Sequence, residues 1–192
     1  ACMLVLCGAL MGTETPLTVT QMLWINLIMD TFAAMALASL PPSEAVMSDP
    51  PRNRNAFIIN RPMLAEIVGV GGFFFVLLIT LLYIFEHADI QQLTDLLHLQ
   101  LGAHTPVTPY ELTLLFTIFV MTHFFYLFNA RAFQTQRSAL HLKDCNGLVF
   151  ISTLIFVTQV CMVELPGVQR FFNVVSLKLI DWVIIVIGSS FV

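Results

Sequence analysis

The sequence predicts an all-α protein, a polytopic transmembrane helix bundle, and three observations carry that prediction. Of its 192 residues, 58% are hydrophobic and only 10% charged, against roughly 45–50% and 25% in an ordinary soluble domain. The apolar residues fall into runs near the roughly 20 residues that a helix needs to cross a bilayer. Between the runs stand polar stretches rich in proline, which removes a backbone donor and ends a helix. The formal charge of -4 comes from 8 basic and 12 acidic side chains with no Lys/Arg cluster. This excludes a nucleic-acid partner and leaves the lipid bilayer as the expected one.

Each element follows from the same reading. Residues 1–11 are apolar with neither a basic flank nor an initiating Met, so they read as the end of a helix cut in its middle and not as a signal peptide. Residues 19–40 form the second run, stopped by Pro41 and Pro42, and 43–61 (SEAVMSDPPRNRNAFIINR) form a turn-rich loop. Residues 63–85 carry one charge, Glu66 near their start, and are the clearest span. Residues 86–111 are mixed and broken by Pro106 and Pro109, with room for a short amphipathic helix over 90–101. Spans at 112–128 and 148–165 are separated by a loop at 131–146, and a last helix covers 179–192. Six of the eight basic residues, Arg52, Arg54, Arg61, Arg131, Arg137 and Lys143, lie in the loops 43–61 and 131–146. The positive-inside rule makes these loops cytoplasmic and the Lys/Arg-free 86–111 exterior. Cys2, Cys7, Cys145 and Cys161 lack C-x-x-C spacing, which points to neither a disulfide framework nor a zinc site.

The second helix carries the chemistry. MLWINLIMDTFAAMALA sets Asn26 and Asp30 four residues apart, which places them on one helix face. A charged group at mid-membrane costs about 2.5–3.5 kcal/mol on insertion scales, so Asp30 is expected to face a partner, a cavity or an ion. A carboxylate and a carboxamide oxygen suit Ca²⁺, Mg²⁺ or Mn²⁺ rather than a thiophilic metal. Hydrogen bonding to neighbouring helices is the competing reading of the same spacing. Two side chains also fall short of the roughly 6–8 oxygens that Ca²⁺ takes, so further ligands would come from helices outside this chain.

Other polar residues in the runs read more simply. Gln159 is expected to make a bundle contact, Glu164 to sit at a membrane end, and Glu66 and Asp181 to be interfacial or to favour a helix N-terminus. Phe73, Phe74 and Phe75 face lipid or fill the core. Gly69, Gly71 and Gly72 allow close helix approach. His87, His98 and His104 share the exterior connection with Asp89 and Asp95, but their spacing does not converge on a metal site.

The stretch QMLWINLIMDTFAAMALASLPP, with SDPPRNRNAFIINRPM and IVGVGGFFF after it and FNAR at 128–131, resembles the calcium-transporting P-type ATPases, most closely the plasma-membrane type. The resemblance covers the whole chain as the end of transmembrane helix 5 through helix 10. It implies that Asn26 and Asp30 are the helix-six ion ligands, that the glycine patch lies against helix five, and that Ca²⁺ is the transported ion. ATP and Mg²⁺ would act only in the parent protein, whose phosphorylation, nucleotide and actuator domains lie upstream. The chain alone is therefore expected to be no enzyme. Two-ion pumps of the reticulum type have a Thr before the shared Asp and a Glu in helix eight, where this chain has Met29 and His123. A thioether and a neutral imidazole are poor ligands for a hard cation. This departure implies a single Ca²⁺ site, with His123 as a possible neighbour of the ion path; its ordinary pKa near 6.5 would also allow proton exchange. The resemblance favours a plasma or bacterial inner membrane. A pump for Mn²⁺, H⁺ or a monovalent cation, and a stand-alone membrane transporter or structural bundle, remain open on the residues alone.

Overall fold

The computed structural model describes residues 1–13, 15–39, 59–88, 90–98, 102–132 and 146–191. Among them there is no strand. The helices are α1 (Cys2–Met11), α2 (Val19–Ala38), α3 (Arg61–His87), α4 (Pro109–Ala132), α5 (Asn146–Glu164), α6 (Pro166–Phe172) and α7 (Leu179–Ser190). A 3₁₀ turn at Leu93–His98 sits between α3 and α4. Four of the helices, α2 to α5, are long and apolar enough to cross a membrane; α1 and α7 are shorter apolar helices. Most of the loops 43–61 and 131–146, with Arg52, Arg54, Arg137 and Lys143, lies outside the described residues.

Local chemistry sets the helix ends. The Thr18 hydroxyl accepts from the Gln21 backbone N–H while the Gln21 side chain accepts from the Thr18 N–H, a reciprocal capping box. Thr108 and Glu111 repeat it before α4, with the Glu111 carboxylate accepting from Thr108 N–H at 2.7 Å. Asn60 caps α3 through Met63 N–H at 2.8 Å. These caps lie outside the apolar runs, which is why α3 and α4 extend beyond the expected spans 63–85 and 112–128. Gly12, at φ 105°, ends α1 in the left-handed conformation that glycine adopts at least cost.

Packing is centred on α4, where Leu114, Leu115, Phe116, Val120 and Met121 are fully buried. It meets α3, α5 and α7, while α1 lies on α3 and α2 on α5. The α2–α5 contact is close, because a Cβ on Gly147 would stand 2.6 Å from Ser39 Oγ. By contrast, α3 leaves Val68, Phe73 and Val76 more than half exposed, as befits a surface turned to lipid or to further helices. The aromatic run splits, since Phe74 is buried while Phe73 is exposed.

Asp181 takes the helix-N-terminal place expected of it, and is in addition withdrawn from the surface. Asp181 is fully buried in the first turn of α7. Its carboxylate accepts from the Leu93 backbone N–H at 2.7 Å and from the Tyr110 hydroxyl. One buried acid thereby ties the 3₁₀ turn, the start of α4 and the start of α7. Glu66 also has a partner within the bundle, accepting from the Tyr126 hydroxyl at 2.8 Å. The short amphipathic helix allowed over 90–101 is realised as the 3₁₀ turn alone.

Candidate functional site

Helix α2 is not regular. Residues Trp24–Met29 form a π-helical segment between two α-helical turns, and the Asp30 N–H bonds back to Ile25 O, five residues earlier. Such segments are rare and concentrate at functional sites. The interruption contains Asn26 and ends at Asp30. Its buried side, Trp24, Ile25 and Met29, packs into the main apolar core. Asn26 and Asp30 are exposed on the other side. The two polar residues thus share the uncovered face, and Met29 is 3% exposed, with its thioether turned away from them.

Asn26 and His123 line one cavity of about 490 Å³, together with Cys2, Gly71, Phe74 and Phe119. Asp30 lies beyond its lining but within electrostatic reach of His123. The His123 ring stands between Phe119 and Phe74, with centroids 4.3 and 5.2 Å away. Its Nδ1 is 2.9 Å from Phe119 O. A carbonyl can only accept, so Nδ1 carries the proton and the Nε2 lone pair is left over in the neutral ring. This hydrogen bond lies within α4 and coexists with a place on the cavity wall.

The glycine patch is open. A Cβ on Gly69, Gly71 or Gly72 would meet nothing within 4 Å, so the described part of α1 does not pack there. Among the described residues, no group of three or more His, Cys, Asp or Glu side chains could hold a metal. His87 and His104 make a ring contact at 5.7 Å. Sequence spacing could not have found three further features. These are the π-helical segment, the contact of Thr13 with buried Glu86 across adjoining ends of α1 and α3, and the burial of Gln159 without a hydrogen-bond partner for either amide atom among the described residues.

Fold and site together define a multi-pass membrane protein with a carboxylate and a carboxamide exposed on an irregular intramembrane helix. Comparison with known sequences makes the class specific. Residues 14–192 match the family described as Cation transporting ATPase, C-terminus, and the chain belongs to that family. It is 32% identical over 185 residues to calcium-transporting ATPase PAT1 of Dictyostelium discoideum, covering 92% of this chain and 15% of that protein. It is 33% identical over 180 residues to plasma membrane calcium-transporting ATPase 1 of Gallus gallus, covering 91% of this chain and 14% of that one. Plasma membrane calcium-transporting ATPase 4 of Homo sapiens is 31% identical over 177 residues, with 91% and 14% covered. The chain thus spans about one seventh of the length of the relatives it matches.

Proposed function

We propose that this chain is the membrane-embedded C-terminal part of an ATP-driven calcium pump, comprising the end of transmembrane helix 5 through helix 10. Asn26 and Asp30 contribute two oxygen ligands to a single Ca²⁺ site. The observation that carries the reading is the sorting of side chains around the π-helical segment, with Met29 in the core and the two hard oxygen donors exposed together on the opposite side. A neutral amide and one carboxylate neutralise only part of a dication's charge and fill only part of its shell. The remaining ligands belong to helices of the parent protein that approach this face. Transport needs such incompleteness, because a site shared between helices can be assembled and dismantled as they move against each other. ATP and Mg²⁺ act in the cytoplasmic domains of the parent, outside this chain.

The test uses the full-length protein. Asp30→Asn is expected to abolish Ca²⁺-dependent phosphorylation by ATP while leaving membrane insertion intact, and normal Ca²⁺ activation would overturn the assignment. Equilibrium binding of ⁴⁵Ca should approach one ion per phosphorylatable site; two would exclude the reading of Met29 and His123. Transport of Mn²⁺ instead of Ca²⁺ would appear as activation by Mn²⁺ that Ca²⁺ fails to displace.

A further inference from the structure

Between α5 and α7 lies an apolar groove of about 550 Å³ lined by Phe156, Val160, Val183, Val186 and Ile187, with Glu164 and Trp182 at one end. The polar end is exterior, because α5 runs outward to Glu164 and α7 runs inward from Leu179 under the positive-inside topology. From Leu179 to Ile187 the groove descends about 12 Å at the helical rise of about 1.5 Å per residue. That is close to the roughly 15 Å of one leaflet's hydrocarbon.

The mouth is built for charge. Trp182 Nε1–H donates to Glu164 Oε1 at 2.8 Å, which fixes the carboxylate beside the indole and leaves its second oxygen without a hydrogen bond among the described residues. A carboxylate held next to an aromatic face is the pairing that recognises a quaternary ammonium. Exposed Lys178, which precedes Leu179, directs its Nζ to Gln91 O at 3.0 Å and to the Tyr110 ring, and so lies outside the groove. The walls argue against a helix as occupant. Close helix packing in membranes uses Gly, Ala and Ser, whereas this groove presents branched and aromatic side chains.

We propose that the groove binds one outer-leaflet phospholipid with a choline headgroup. Its acyl chain lies between α5 and α7, and its ammonium sits at Glu164 and Trp182. The site stands apart from the Asn26–Asp30 face and does not rest on the identity of the transported ion.

The experiment places the full-length protein in nanodiscs with a phosphatidylcholine bearing a diazirine midway along one acyl chain, and maps the adducts by mass spectrometry. Adducts on 156–164 and 179–187 should exceed those on the exposed α3 residues Val68, Phe73 and Val76 by about fivefold. Unlabelled phosphatidylcholine should compete and phosphatidylglycerol should not, a preference of about fivefold that Glu164→Gln removes. Val186→Trp, which fills the groove, should remove the adducts. If that variant misfolds, Glu164→Gln still decides. Labelling equal to that of α3, labelling indifferent to headgroup, or a single-span partner protein cross-linked into this groove would each overturn the proposal.

Discussion

At the scale of single residues, two buried polar groups with opposite circumstances make opposite predictions. Asp181 is fully buried and has its partners, the Leu93 N–H and the Tyr110 hydroxyl. Asp181→Ala strips both donors of their acceptor, and each buried unsatisfied donor costs about 1–3 kcal/mol. The expected outcome is a lowered thermal midpoint in detergent and faster proteolysis of the exterior connection, with Tyr110→Phe giving a smaller loss. Gln159 is equally buried, but neither amide atom has a hydrogen-bond partner. Gln159→Leu keeps the volume and removes a desolvated amide, so the thermal midpoint should rise by the equivalent of about 1 kcal/mol. A fall would show that the amide is engaged in the parent protein. The two residues looked alike in sequence, each a polar side chain in or beside an apolar run. Their difference rests on contacts 71 and 88 residues away for Asp181, which no local pattern reports.

At the scale of elements, hydropathy located the helices well, because a run of about 20 apolar residues has few alternatives to spanning a bilayer. It could not reveal the π-helical segment. The switch from i−4 to i−5 hydrogen bonding at Asp30 changes no residue type and leaves the apolar run unbroken. Asp30 itself was conspicuous, since a lone intramembrane carboxylate is expensive; that it is uncovered while Met29 is buried required the packing of α2 on α5. Deleting Leu27 removes one residue from the segment, restores i−4 bonding and changes the angle between Asn26 and Asp30, while leaving hydropathy nearly unchanged. In the full-length protein this variant should insert with normal topology, yet lose Ca²⁺-dependent phosphorylation as fully as Asp30→Asn. Retained activity would mean that the backbone irregularity plays no part in the site. Gly8 tests helix contact in another way. Its Cβ would stand 2.6 Å from Pro16 Cγ and 3.3 Å from Leu82 Cδ2, and the proline ring cannot rotate aside. Gly8→Ala should therefore cost about 1–3 kcal/mol by overpacking, whereas Gly72→Ala meets open space among the described residues and should be tolerated unless a further helix of the parent covers it.

For the whole molecule, the buried polar ties and the basic loops fall at opposite ends of the bundle. The ends of α1, α3, α4 and α7 beside the 86–111 connection are joined by buried polar ties at Glu86, Glu111 and Asp181, all near the connection without Lys or Arg. The opposite ends lead into loops 43–61 and 131–146, which hold six of the eight basic residues. Long-range hydrogen bonds therefore close the bundle on one side of the membrane, while the positive charge that orients it lies on the other. This predicts an asymmetric labelling pattern. In the full-length protein with its cysteines replaced, Ala103→Cys should react with a membrane-impermeant maleimide in intact cells, and Ser48→Cys only after permeabilisation. Reversed labelling would invert the orientation, place the α5–α7 groove in the cytoplasmic leaflet, and move the mouth at Glu164 to a surface rich in anionic lipid, where a choline headgroup would no longer be the favoured ligand.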